Sequence, residues 1–211
     1  MELRSIIAKD IGSIADIHMM AFPISGLTQF GRETTQRYYL WHLESAHETQ
    51  CIGAFINSEL VGYIIAGVFR NSEVEFLTKN GISLVWHLIT HVWLLKNEII
   101  RKKVNYGIKV LSRKFINKEE NNQTPKQYIA KYGVLAIATH PEFKGLGIGK
   151  LMMKEVEQIA RQKRFSSMRL TVHTDNLQAV LFYEKLGWQK IPTVEGKWKG
   201  NMKKSIGNGN M

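Results

Sequence analysis

Residues 134–139, Val-Leu-Ala-Ile-Ala-Thr, form an unbroken apolar run of strand length, and glycines at 145, 147 and 149 precede a stretch of helical periodicity. Such a run suits a strand covered on both faces. Glycine has no Cβ, so the backbone can come close to a ligand. At a helix start, unpaired amides and the positive end of the dipole form an anion site. Lys144 and Lys150 add formal charge. Strand, glycine turn and helix in this order confine the chain to mixed α/β folds with an anion at the corner. A pyrophosphate is the guest that suits it.

Two familiar phosphate loops do not fit. A Walker A loop places four residues between its first glycine and Gly-Lys, then Ser or Thr. Here Gly145 and Gly149-Lys150 enclose three, and Leu151 follows. A dinucleotide fingerprint runs G-x-G-x-x-G early in a βαβ unit, whereas this chain has G-x-G-x-G late in its sequence. Lys144-Gly-Leu-Gly-Ile-Gly149 instead resembles the (Arg/Gln)-x-x-Gly-x-(Gly/Ala) loop of the GNAT family of acetyl-CoA-dependent N-acetyltransferases. Downstream, Asn176, Ala179, Tyr183, Lys185, Gly187 and Trp188 resemble that family's pattern Asn-x-x-Ala-x-x-x-Tyr-x-Lys-x-Gly-(Phe/Trp). The resemblance covers 133–190 closely and the first 70 residues by element order alone.

The resemblance implies a GNAT (acyl-CoA N-acyltransferase) fold: α/β (α+β), with a central mixed, mostly antiparallel sheet flanked by helices. It implies acetyl-CoA as co-substrate and no metal. Carried over by position, the backbones of Ile137, Ala138 and Thr139 pair with the pantetheine arm like an added strand. Lys144, Gly145, Leu146, Gly147, Ile148, Gly149 and Lys150 hold the pyrophosphate. Asn176 contacts the cofactor arm, and Tyr183 protonates the departing thiolate as general acid. Asn176 also reads as a plain helix cap, and Tyr183 as a packed aromatic. Lys144 keeps the charge of the family's arginine without its guanidinium fork.

One departure stands out. Many relatives carry a glutamate base near the start of the central strand, where this chain has Gly133. His173 is the candidate general base in its place, with His140 and Glu142 beside it. Loss of the amine proton to water, with no dedicated base, stays open.

Elsewhere, 3–7 reads as a strand, and Asp10 as the cap of a helix bearing Ile11, Ile14, Ile17 and His18. A helix is expected over 28–43, a hairpin over 51–56 and 60–69 with a turn at 57–59, and a helix over 149–163 with Leu151, Met152, Val156 and Ile159 inward. A strand over 167–174 alternates, a helix capped at Asp175-Asn176 ends at Gly187, and strands close the chain over 188–194 and 198–206.

Residues 71–128 interrupt the pattern. Some fifty residues are too long for a bare loop in a compact domain, so a helical insertion is expected within one domain spanning 1–211. Insertion and early segment 21–31 are similar to bacterial relatives linked to amino-sugar and polysaccharide pathways. The apolar run 82–95 is short for a spanning helix. Its His87 and His91 lack a third metal ligand. The net charge of +11 is concentrated at 96–118, where eight basic residues face one acid, Glu98. Peripheral membrane contact through 82–118 and a homodimer stay open. A nucleic-acid partner is excluded, because no aromatic platform interleaves the basic run. Cys51, the one cysteine, reads as a buried structural thiol, and no secretory signal is apparent, so a cytoplasmic protein is expected.

The function these features imply is transfer of acetyl from acetyl-CoA to a primary amine of a small molecule, with an amino sugar or nucleotide amino sugar foremost. The alternatives are acetylation of a protein or peptide, and a non-catalytic acyl-CoA-binding module docking through its insertion.

Overall fold

The computed structural model describes residues 1–44, 48–69, 101, 104–105 and 131–207. The expected insertion, with its basic run, the stretch 82–118 considered for membrane contact and His87 and His91, lies outside them but for 101, 104 and 105. Among the described residues no helix is long and apolar enough to cross a membrane, and no cluster of His, Cys, Asp and Glu could hold a metal ion.

Strand β1 (Glu2–Ser5) leads into α1 (Ile11–Ala21), the short α2 (Gly26–Gln29) and α3 (Arg32–Glu44). Then come β2 (Thr49–Ile56), β3 (Glu59–Gly67), β4 (Tyr132–Thr139) and α4 (Ile148–Gln162). β5 (Ser167–Thr171), α5 (Leu177–Lys185), β6 (Gln189–Pro192) and β7 (Trp198–Ser205) complete the order. The seven strands form one sheet in the order β1-β2-β3-β4-β5-β7-β6. Among the described residues only β4 and β5 run parallel; the other pairs are antiparallel. This is the mixed, mostly antiparallel sheet expected from the sequence.

Period-2 alternation divides the core between the two faces of the sheet. Ile52, Ala54, Ile64, Tyr132, Val134, Met168, Leu170 and Met202 point to α4 and α5. Cys51, Phe55, Tyr63, Ile65 and Ala138 point to the N-terminal helices, where Ile11, Ile14, Ile17 and Tyr39 meet them. Burial pushes the Cys51 thiol up to about 11, against a smaller lowering by the Thr49 hydroxyl, which suits a packed thiol rather than a nucleophile.

Four local expectations are corrected. The helix expected over 28–43 breaks at Gly31, whose φ of 87° is open to glycine at little cost, and resumes at Arg32. Asp10 precedes α1 but makes no side-chain cap there. Its carboxylate instead accepts two Arg4 hydrogen bonds (2.9 and 3.1 Å) and one from the Ile7 amide (3.0 Å), tying β1 to the helix entry. On α4 the inward face is Ile148, Met152, Met153, Val156 and Ala160, with Ile159 partly buried. Leu151 is exposed, because the face is centred between Met152 and Met153 and Leu151 lies on the far side of Met152. β5 ends at Thr171, so His173 falls outside the strand.

Candidate active site

The site grows from one irregularity of the sheet. β4 and β5 pair only through Tyr132–Met168, Gly133–Arg169 and Val134–Leu170. Beyond Val134, β4 keeps its partner β3 as far as Thr139, while β5 ends at Thr171, paired with β7 on its other edge throughout. The two strands therefore part, and beyond Val134 one edge of β4 has no ladder partner among the described residues. The His140 amide donates to the Val61 carbonyl at 2.8 Å, which fixes the phase of the β3–β4 ladder. By the alternation of such a ladder, Ile137 and Thr139 turn their N–H and C=O groups into the gap, while Ala138 pairs with Tyr63. Of the three backbones expected to meet a pantetheine arm, two face the gap.

The glycine turn lies at the mouth of this gap. Gly145 and Gly147 have φ of 85° and 75°, and a Cβ at either would meet nothing within 4 Å. Gly147 is the N-cap of α4, so the amides of Ile148, Gly149 and Lys150 stand in its unpaired first turn. Gly149 serves differently: a Cβ there would come within 3.3 Å of the Phe182 ring, so it lets α4 lean on α5. Lys144, Leu146 and Lys150 are exposed around the turn. An unpaired strand edge, an open turn and free amides fit the amide-rich arm and pyrophosphate of an acyl-CoA.

Tyr183 is buried on α5, packed edge-on against Phe182 and Trp188. Its hydroxyl has no hydrogen-bond partner among the described residues and is not among the sealed polar atoms. Burial pushes the phenol up to about 12, so it keeps its proton throughout the neutral range. The Asn176 Oδ1 accepts from the Ala179 amide at 3.1 Å, as a helix cap does. Its exposed side chain still has two donors to offer.

The candidates for a base are scattered. His173 is exposed, with Nδ1 3.7 Å from Asp175 Oδ2, in the turn that leads to α5. It borders a concavity of about 490 Å³ with Thr171, Trp198 and Lys199. His140 Nδ1 accepts from the Glu142 amide at 3.4 Å, and Glu142 itself is exposed. At Gly133 a Cβ would find Phe69 at 3.5 Å, so a side chain has room there and none is present.

A buried network beneath β4 is invisible at the level of local pattern. His18 Nδ1 lies 2.7 Å from the Tyr39 hydroxyl, which lies 2.8 Å from that of Tyr63. His18 Nε2 lies 2.9 Å from Ser25 Oγ, which donates to Thr28 Oγ1, which donates to the Phe22 carbonyl. Every hydroxyl is satisfied when His18 carries its proton on Nε2 and accepts at Nδ1. His18 shows in the sequence as part of the α1 stripe, but its tyrosine partners come from α3 and β3.

Residues 120–188 match the family model described as Acetyltransferase (GNAT) family. The thialysine N-epsilon-acetyltransferase of Bos taurus is 38% identical over 60 residues, 28% of this chain and 35% of that protein. The uncharacterized N-acetyltransferase ycf52 of Pyropia yezoensis is 39% identical over 56 residues, 26% of this chain and 30% of its own. The chain thus spans about a third of the length of the curated relatives it matches. In fold it is similar to the PaiA N-acetyltransferase of Thermoplasma acidophilum in complex with coenzyme A, with a TM-score of 0.57 at 16% identity over 97% of this chain and 98% of that one. The ribosomal-protein-S18-alanine N-acetyltransferase of Escherichia coli gives 0.56 at 12% identity over 98% and 94%. The pattern of the GNAT family is carried by this chain in sequence over residues 120–188, and its fold is the GNAT fold.

Proposed function

We propose that the protein is an acetyl-CoA-dependent N-acetyltransferase acting on a primary amine of a small molecule, with an amino sugar or nucleotide-linked amino sugar as the acceptor class. The observation that carries this reading is the parting of β4 and β5 beyond Val134 and Leu170, with the Gly147 turn at its mouth and Tyr183 on the flanking helix. The family-model match over residues 120–188 and the likeness to N-acetyltransferases support it.

Acetyl-CoA, when bound, supplies an acyl thioester that a free amine can attack. The chain's own residues provide the rest. The Ile137 and Thr139 peptide groups orient the arm by strand-like pairing. The first-turn amides of α4 hold the pyrophosphate. Tyr183, held protonated by burial, donates a hydrogen bond and then a proton to the departing sulfur. No carboxylate occupies the position of Gly133, so the amine proton passes to water or to His173, which is exposed at the adjoining concavity.

The test is calorimetric titration with acetyl-CoA, followed by acceptor-dependent release of CoA thiol across an amine panel. Micromolar binding and turnover with a small amine are expected. A folded chain that does not bind acetyl-CoA would remove the reading. Turnover confined to peptide N-termini or lysines would move it to protein acetylation.

A further inference from the structure

We propose that the sheet face around Arg169 and Lys203 binds an anionic group, a phosphate or a carboxylate, carried by the amine acceptor; this rests on the acetyltransferase reading above. Strand register puts the two residues together. Arg169 is the direct partner of Lys203 across β5–β7, Gly133 the partner of Arg169, and Gln189 the partner of Lys203. Met168, Leu170 and Met202 point to α4 and α5, so Arg169 and Lys203 occupy the opposite face. Both are exposed.

Like charges placed directly across a ladder repel, and sheets ordinarily avoid the pairing. Among the described residues no acid relieves it. β5, β6 and β7 carry Arg169, Lys190, Lys199, Lys203 and Lys204 and contain no acid. Lys190 and Lys204 are matched on the helix side, by Glu184 at 3.0 Å and Glu157 at 2.6 Å. Arg169 and Lys203 have no ion-pair partner among the described residues. An anion seated between them removes the repulsion and uses the guanidinium fork.

The surface is also shaped for a guest. A concavity of about 280 Å³ is lined by Gly133, Arg169, Thr171, Ile191 and Asn201. Gly133 leaves its floor open, since a Cβ there would touch only Phe69, Arg169 and Gly67 at ordinary contact distance. The Thr171 hydroxyl donates to Asn201 Oδ1 at 3.1 Å, which leaves the Asn201 amide nitrogen as a donor. The Arg169 guanidinium and the Asn201 amide NH₂ line the concavity, and Lys203 stands beside it as the ladder partner of Arg169. These donors match an oxyanion better than a neutral sugar hydroxyl, which both donates and accepts. The concavity lies where β4 and β5 part, and Thr171 joins it to the larger one beside His173. An acceptor anchored here by its anion would extend its amine along the gap.

The experiment uses the full chain, saturating acetyl-CoA, and amines in matched sets: neutral, phosphate-bearing and carboxylate-bearing, with glucosamine and glucosamine 6-phosphate in one of them. Wild type is compared with Arg169→Gln, Lys203→Gln and Arg169→Lys. An anionic member is expected to exceed its neutral counterpart in kcat/KM at least tenfold, and phosphate against carboxylate tells the two sources apart. Arg169→Gln should shrink that preference about tenfold or more, chiefly through KM for the acceptor, with KM for acetyl-CoA moved less than twofold and partial recovery in Arg169→Lys. Equal use of neutral and anionic amines, or an Arg169→Gln loss shared equally by both, would overturn the proposal. So would turnover of acidic peptides alone, or acetyl-CoA binding with no turnover of any set; both leave the cofactor site standing. Absence of acetyl-CoA binding would fell the acetyltransferase reading itself.

Discussion

His18 Nδ1 lies 2.7 Å from the Tyr39 hydroxyl, inside the core that joins α1 and α3 to β3. Burial lowers the His18 pKa to about 4, from an ordinary value of 6.5. The unfolded chain therefore takes up a proton near pH 6.5, while the folded chain resists until about pH 4. Stability from this group is complete above pH 6.5 and is lost as pH falls from there towards 4, by on the order of 3 kcal/mol at most. Denaturant midpoints measured across that window should fall in the wild type, and the slope should flatten in His18→Gln. His18→Ala also strands one hydroxyl proton of the Tyr39–Tyr63 pair and opens a cavity, and should cost roughly 2–4 kcal/mol at pH 7.

Tyr183→Phe removes the proposed proton donor and keeps the ring packed on Phe182 and Trp188. A fall in kcat of about 10²–10⁴-fold is expected, with acetyl-CoA affinity nearly unchanged. Rapid-quench or thiol-release assays read the first and calorimetry the second. Tyr183 would be only a packing residue if kcat survived.

Replacing Gly147 with Val strains a φ of 75° and places a side chain in open space at the α4 start. The strain should cost roughly 1–2 kcal/mol, well short of unfolding a domain. Acetyl-CoA binding should fall at least tenfold, because the Cβ stands where the pyrophosphate would approach. Gly149→Ala, by contrast, presses on Phe182, so its first effect should be on thermal stability.

Lys204 Nζ donates to the buried Glu157 carboxylate at 2.6 Å, clamping β7 to α4. Lys204→Met leaves that carboxylate with Arg161 alone, at 3.7 Å. A loss of about 1–3 kcal/mol is expected, and the double variant with Glu157→Gln should recover part of it, since the cost comes from an unmatched buried charge. A double-mutant cycle by chemical denaturation measures this coupling.

Much of the glycine corner was legible without a structure, because its physics is local. Glycines at 145 and 147 take left-handed backbone angles, Asn176 caps its own helix, and the apolar run 134–139 becomes β4. Each depends on residues a few positions apart, and sequence order preserves such information. The division of labour among the glycines was not legible, since Gly149 differs from its neighbours only through Phe182 on another helix. Nor was the length of β5: alternation continues through Val172 and His173, but the strand ends where β7 stops pairing with it.

What tertiary structure alone decided is which distant residues meet. The parting of β4 from β5 depends on the short register of that pair, with β5 flanked by β7 on its other edge, a set of non-local pairings that no spacing announces. The Arg169–Lys203 pair follows from that same register, and the His18–Tyr39–Tyr63 cluster from the packing of α1 and α3 on β3. Periodicity says which face of a strand is buried; it does not say which other strand lies beside it, because that choice belongs to the energy of the whole packed sheet.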